Sequence, residues 1–388
     1  MRKILWLHSH FNYWMGGTKL IYEIIRRIHQ HIPVTVFVED YSPYAKEQYD
    51  KAGVELVKTI GITSTSSWYW LNLPFYIRQN QKFLKPFVDP ESILISSMFP
   101  MNVVWSGFDQ TAHQYIFEPF AFIHDDVMMN GFPFAKRMFC HYVAWRYRNL
   151  DIRTTQKARV IFTLNDVMKK SIHSVYGKEA VPTYTGIDCN FFMPYDSPDL
   201  RLKYKGKRIL IHSTDFTPIK GTPLAIRALS DVVKKYPDTL LLITSTIDDR
   251  RGLQELMKFA ARLGCAGNIQ YLGFLPHEEL PRYYAFAEVM LHTGLGERSA
   301  ASSFTLPVKE AMACGTPAIR HPITSEDVEH GISGLAIDPT NTKEYAEGIM
   351  QLLGDPEQTK KMGEKAREKI MSRYAWDSVI KTILSHIE

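Results

Sequence analysis

The feature that most constrains this chain is an alternation that runs through it twice. Short, mostly apolar segments take turns with longer segments whose apolar residues recur every three or four positions. The short runs, at residues 3–8, 33–38, 93–96, 114–117 and 160–164, read as strands buried on both faces. Helices are expected over 18–28, with Thr18 as cap after Gly16-Gly17 in a loop, and over 166–175. The stretch 193–199 is rich in Pro and Asp and has no period, so it reads as a linker. The alternation then restarts. Strands are expected at 208–212, 240–244, 269–272, 289–292, 318–319 and 334–337, and helices at 222–235, 252–263, 278–285 and 308–313. A helical tail over 342–388 is broken at Gly354-Asp355-Pro356. Strand–helix alternation of this kind implies an α/β protein built on parallel, doubly wound sheets. Two such domains, 1–192 and 200–369, are expected to leave a cleft at the carboxyl ends of their strands.

Composition removes several classes. Hydrophobic residues at 45% and charged residues at 22% exclude a disordered chain. No run approaches the ~18 apolar residues that would span a bilayer. The apolar start after Arg2-Lys3 ends at His8, short of a signal-peptide core of roughly 7–15 residues. Cys140, Cys189, Cys265 and Cys314 lie far apart with no C-x-x-C pair, as expected for reduced cysteines in a cytoplasmic protein.

The net charge of +5 is uneven. Residues 1–195 hold 21 Lys and Arg against 16 Asp and Glu, and the remainder holds 25 of each. Within 131–160, Lys136, Arg137, Arg146, Arg148, Arg153, Lys157 and Arg159 face the single acid Asp151, with Phe132, Phe134, Phe139, Tyr142, Trp145 and Tyr147 among them. Such a stretch suits peripheral contact with an anionic membrane on its inner, cytoplasmic face. The other reading is a solvated helix face with a buried aromatic side. No recognition motif for nucleic acid accompanies the charge, and none is assigned as partner.

The richest motif runs from Ser302 to Pro317. A helix starting near Leu306 follows a loop containing Phe304 and Thr305. The free amides and positive dipole end of a helix start suit a pyrophosphate. Glu310, one turn in, is placed to accept hydrogen bonds from the hydroxyls of a ribose. Gly315-Thr316-Pro317 turns the chain back toward a strand.

The string Glu310-Ala-Met-Ala-Cys-Gly-Thr-Pro317 resembles glycosyltransferase family 4, the retaining, nucleotide-sugar-dependent enzymes of GT-B fold. The resemblance is strongest from about residue 160 onward. Val181 to Asp188 is similar to the family's interdomain segment, and Lys220-Gly221 to its phosphate-contacting pair. Leu272-Gly273-Phe274-Leu275 is similar to the turn whose backbone meets the nucleobase, and Gly16-Gly17 to its Gly-rich loop near the donor phosphates. The resemblance implies two Rossmann-like domains facing across a cleft, with a last helix at about 370–388 packing back on the first. It implies donor binding by Gly16, Gly17, Lys220, Leu275, Phe304, Thr305, Leu306 and Glu310. Glu118 and His124 are the acceptor-side candidates, since Glu118 stands where the family has a His-Asp pair and His124-Asp125-Asp126 follows shortly after. The implied activity is transfer of a sugar from a nucleoside-diphosphate sugar to a glycan or lipid-linked acceptor, as in polysaccharide biosynthesis. No cofactor and no metal are implied, because Lys220 and helix-start amides would do a metal's work. His124-Asp125-Asp126 is read as a helix start, since adjacent acids on a helix diverge.

Two departures bear on activity. Ser302 stands where the family has a donor-sugar Glu, eight residues before Glu310, and Asp215 where it has a phosphate-binding Arg, five before Lys220. Arg250, Arg251 and Arg298 are candidate replacements for the Arg, and Glu297 for the Glu. The alternatives are a non-catalytic nucleotide-sugar-binding protein on the same scaffold, or a sugar-nucleotide epimerase. A nicotinamide-dependent oxidoreductase is disfavoured, because no G-x-G-x-x-G follows the first strand.

Overall fold

In the computed structural model, which describes residues 2–387 except 15, 131, 246, 295–305 and 325, the chain divides into two units. One comprises Met1–Tyr184 and Val379–Glu388, the other Thr185–Ser378.

The first unit carries a seven-stranded, all-parallel sheet in the order β3-β2-β1-β4-β5-β6-β7. Its strands are β1 Ile4–Phe11, β2 Val34–Tyr41, β3 Glu55–Lys58, β4 Ile93–Ser97, β5 His113–Tyr115, β6 Ile161–Thr163 and β7 Val181–Pro182. Ile4 to Leu7 are wholly buried because helices cover both faces of the central strand. The helix Gly16–Ile28 buries Leu20, Ile21, Ile24, Ile25 and Ile28, one stripe at helical spacing. It begins at Gly16, so the two glycines expected in a loop open the helix instead. Thr18 donates to the Tyr13 carbonyl at 2.6 Å. Asn165 caps Asp166–Tyr176 by accepting from the Met168 amide at 2.8 Å, and left-handed Gly177 ends that helix.

Between β2 and β4 the structure holds elements that the pattern leaves unread: helices Pro43–Lys51, Ser67–Leu71 and Leu73–Leu84, and β3. β3 is an edge strand with only Leu56 fully buried, so it has no apolar run to betray it. The basic, aromatic stretch forms the helix Phe134–Gln156. Its inner side is Cys140, Val143, Ala144, Tyr147, Asp151 and Thr155; of the aromatics Tyr147, Phe132 and Phe139 pack inward, while Phe134, Tyr142 and Trp145 do not, so the solvated-face reading holds for half of them. The last helix, Trp376–Ile387, reaches this unit, where Arg2 Nη2 donates to the Ile387 carbonyl at 2.7 Å.

The second unit carries a six-stranded, all-parallel sheet in the order β10-β9-β8-β11-β12-β13. Its strands are β8 Arg208–Thr214, β9 Thr239–Ser245, β10 Ile269–Gly273, β11 Val289–Leu291, β12 Ala318–Arg320 and β13 Gly334–Ala336. Leu210, Leu241, Ile243, Val289 and Ile319 from the sheet pack with Ile226 and Leu229 of helix Thr222–Lys235 and Ile349 and Leu353 of helix Thr342–Gly354. Among the described residues no helix is long and apolar enough to cross a membrane, and all four cysteines are free thiols.

Candidate functional site

In a doubly wound sheet, ligands bind where the strand order reverses, at the carboxyl edge. In the second sheet that point lies between β8 and β11. β8 runs into the 3-10 turn Pro218–Lys220, then left-handed Gly221, then the helix Thr222–Lys235. Beyond β11, Thr293 Oγ1 bonds the carbonyls of Lys220 at 3.1 Å and Gly221 at 2.9 Å. The approach is so close that a Cβ on Gly221 would sit 1.9 Å from the Thr293 carbonyl oxygen.

A hydrogen-bond chain braces this loop from beneath. Buried His212 donates from Nδ1 to the Leu291 carbonyl at 3.0 Å, which leaves Nε2 to accept from the Thr222 hydroxyl at 3.0 Å. Thr222 in turn bonds Thr214 at 2.8 Å, and Thr214 Oγ1 accepts from the Phe216 amide at 3.0 Å. In this arrangement the imidazole is neutral. Burial, opposed by the Leu291 bond and aided by the Lys220 charge, pushes His212 down to about 4. Lys220 itself is partly exposed, its Nζ 3.9 Å from the Asp215 carboxylate. Asp215 also accepts from the Thr217 amide at 3.0 Å.

The helix Leu306–Ala313 connects β11 to β12 and runs back along the sheet. In a parallel sheet its N-terminus therefore lies at the same carboxyl edge as the Lys220 loop. Glu310 is 8% exposed, and the Tyr284 hydroxyl bonds its carboxylate. Burial and the Glu310 charge raise the Tyr284 phenol, and the same two causes push the Cys314 thiol up to about 12. The far end of this helix is capped by Arg367, whose guanidinium donates to the carbonyls of Ala313 and Phe192. Leu275, half-buried, follows edge strand β10 rather than the reversal point. Ser302, Phe304 and Thr305, with Glu297 and Arg298, lie outside the described residues. Arg250 and Arg251 stand in solvent against Asp248 and Glu255.

The first sheet reverses between β1 and β4. A cavity of about 510 Å³ opens there, lined by Ser9 and His10 after β1 and by Met98, Phe99 and Pro100 after β4, with Trp70, Phe120 and Lys136 among its walls. His10 is lowered mainly by burial, and its Nδ1 has no partner among the described residues. Gly16 and Gly17 open the helix that follows β1, and Gly17 lies against the Phe117 ring. Glu118, half-buried after β5, is raised first by burial and then by the Asp125 charge. His124 is turned inward. Its Nε2 bonds buried Asp151 at 2.8 Å, and Asp151 also accepts from Tyr176 at 2.9 Å and Asn102 at 3.1 Å. His124 thus braces the helix Phe134–Gln156 within its own unit. His10 and the cavity escape sequence reasoning, since their parts are scattered from residue 9 to 143.

Residues 198–369, within the second unit, match the family model for glycosyl transferases group 1. Spore coat protein SA of Bacillus subtilis is 25% identical over 59% of this chain and 64% of its own length. A GDP-mannose-dependent phosphatidylinositol monomannoside mannosyltransferase of Mycolicibacterium smegmatis is 27% identical over 61% and 65%. The chain thus spans just under two thirds of these curated relatives. A glycosyltransferase of Rickettsia africae superposes with TM-score 0.76 at 14% identity, covering 100% of this chain and 98% of that one. Anabaena HepE, solved in complex with UDP, gives 0.72 at 17%, covering 99% and 98%. The chain has the GT-B fold, and its second unit is similar to the group 1 glycosyl transferases. The matched stretch carries Lys220, Leu275, Leu306 and Glu310 together. Gly16, Gly17, Glu118 and His124 fall outside that stretch, in the unit with the larger sheet.

Proposed function

We propose that this protein transfers a glycosyl group from a nucleoside-diphosphate sugar to a hydroxyl of a glycan or lipid-linked acceptor, with retention of configuration and without a metal. The observation that carries this reading is the braced Lys220 loop at the reversal point of the second sheet, on the same edge as the start of the Glu310 helix. The UDP complex of HepE and the GDP-mannose dependence of the mycobacterial relative support a nucleotide-sugar donor.

On this reading the Lys220 ammonium and the amides at the start of the Glu310 helix, Leu306 among them, hold the diphosphate and stabilise the charge it gains as it leaves. Gly16 and Gly17, whose amides open another helix, are assigned to donor binding. Glu310 accepts from ribose hydroxyls with the oxygen capacity that Tyr284 does not use, Leu275 meets the base, and Phe304 and Thr305 complete the donor contacts. Ser302 is assigned to the donor sugar. Glu118, whose raised carboxyl holds a proton more readily than usual, orients the acceptor hydroxyl. His124 acts through Asp151 as a positioning group. The reaction is assigned to the cytoplasm, at the inner face of the membrane.

A second reading, donor binding without turnover, is favoured by one observation: the Asp215 carboxylate 3.9 Å from Lys220 Nζ offsets charge that a diphosphate would need. Calorimetry with UDP and GDP, paired with diphosphate release from a panel of nucleotide sugars with glycan and lipid acceptors, separates the two. Transfer predicts both binding and acceptor-dependent release. Lys220→Ala should weaken nucleotide binding by about 10–100-fold, the worth of one charge-assisted hydrogen bond. Wild-type affinity in that variant would remove Lys220 from the site.

A further inference from the structure

The helix Phe134–Gln156 is apolar on two opposite sides. One side, centred on Val143 and Tyr147, is buried in the first unit. The other is not covered. Phe134, Met138, Tyr142 and Trp145 are 70%, 52%, 40% and 78% exposed. At about 100° per residue these four fall within one arc of roughly 80°, facing away from the buried side. They form a stripe on the order of 16 Å long at 1.5 Å per residue. Soluble surfaces seldom leave three aromatics and a Met in line without covering them.

What covers the stripe is indicated by its borders. Arg137 flanks it on one side, and Arg146 and Arg153 on the other. The only acid of the helix, Asp151, points inward and is occupied by His124, Tyr176 and Asn102. Asp126, in the short helix just before, is paired with Arg148 at 3.3 Å. Cations bordering an apolar, Trp-bearing stripe match a layer that is apolar within and negative at its surface.

We propose that this helix is the membrane-docking face of the protein. It lies flat in an anionic lipid bilayer, with Phe134, Met138, Tyr142 and Trp145 entering below the headgroups and the arginines remaining among the phosphates. The docking stands on the helix itself. The consequence that the acceptor is drawn from the same membrane rests on the transfer reading above.

The test is sedimentation with phosphatidylcholine vesicles, with and without a third of phosphatidylglycerol. The wild-type chain should sediment with the anionic vesicles at low salt and stay in solution with the neutral ones. Phe134→Ser with Trp145→Ser should lower the partition at least about tenfold, the loss expected from two interfacial aromatics. Arg146→Gln with Arg153→Gln should lower it at low salt and match the wild type at high salt, where screening removes the charge term. Trp68→Ser with Phe75→Ser, exposed aromatics elsewhere on the unit, should leave it unchanged. All variants should keep the wild-type circular dichroism, since every altered side chain is exposed. Wild-type protein left in the supernatant, a stripe variant that sediments normally, or equal loss in the control pair would each overturn the proposal. Nucleotide calorimetry on the same samples keeps the readings apart. Vesicle binding without UDP or GDP binding would sink the transfer reading alone, and the reverse would sink only the docking face.

Discussion

Replacing Asp327 by Asn should unfold the second unit at a markedly lower temperature, because it strands two cations in a dry place. Arg320 and Asp327 are 0% exposed and Lys309 is 2%. Arg320 Nη1 lies 2.6 Å from both Asp327 oxygens, and Lys309 Nζ lies 3.7 Å from one of them. Arg320 Nε and Nη2 find no acceptor among the described residues, so the guanidinium leans on Asp327 alone. Removing one partner of a buried pair costs about 3–5 kcal/mol, since the other charge stays buried and uncompensated. For a unit of this size each kcal/mol moves the melting point by roughly 2–4 °C, so Asp327→Asn should melt on the order of 10 °C below wild type. Differential scanning calorimetry reads this directly. The same reasoning holds that the charges cost nearly as much to desolvate as they return. The triple variant Lys309→Met, Arg320→Met, Asp327→Leu should therefore melt close to wild type. An Asp327→Asn melt within 2 °C of wild type, or a triple variant below the single one, would show that the cluster is hydrated and refute the argument.

Gly221→Ala should destabilise far more than Gly177→Ala. Both glycines are left-handed, at φ +62° and +63°, which costs about 1–2 kcal/mol for a side-chain-bearing residue, but only at Gly221 would the new Cβ strike backbone. Urea denaturation and nucleotide calorimetry of the pair check this, and equal losses would contradict the close packing of the Lys220 loop on Thr293. Stability should fall with acid in a way that depends on His212. Its folded value of about 4 lies below the unfolded value, so its contribution is full above pH 6.5 and is lost as the pH falls toward 4. His212→Gln should flatten the loss between pH 6.5 and 5 by about 2 kcal/mol, and an unchanged slope in urea melts would show that another group carries it. Glu310→Ala should weaken nucleotide binding and cost about 1–3 kcal/mol by orphaning the Tyr284 hydroxyl, whereas Glu310→Gln should keep the stability and lose only affinity. Glycosyl transfer, once measured, should survive exhaustive EDTA treatment. Loss restored by a divalent cation would overturn the metal-free part of the proposal.

The parts of the fold that sequence conveys well are those where burial is total. β1 and β8 are apolar on both faces, so their runs stand out, although the runs understate their length: β1 continues through His8 and His10 to Phe11, where polar residues share the strand. The segment from Pro43 to Leu84 is opaque because β3 is an edge and Trp68-Tyr69-Trp70 breaks the helical period. The Lys220 loop is legible because Gly221 and the apolar stripe of the following helix are adjacent in sequence. The cavity at the first reversal point is not, because it gathers Ser9, Met98, Phe120 and Lys136 from four separate elements. The burial of His124 against Asp151 is hidden for the same reason: the partners are 27 residues apart on different helices.

The chain passes into the second unit at Thr185 and out again at Ser378 before its last helix rejoins the first. The second unit is therefore an insertion in the first, held by two covalent crossings. A single nick between the units would not release either one. Excising residues 185–378 as a free fragment needs two cuts, and the remainder would need a new peptide bond joining Tyr184 to Val379 to stay whole.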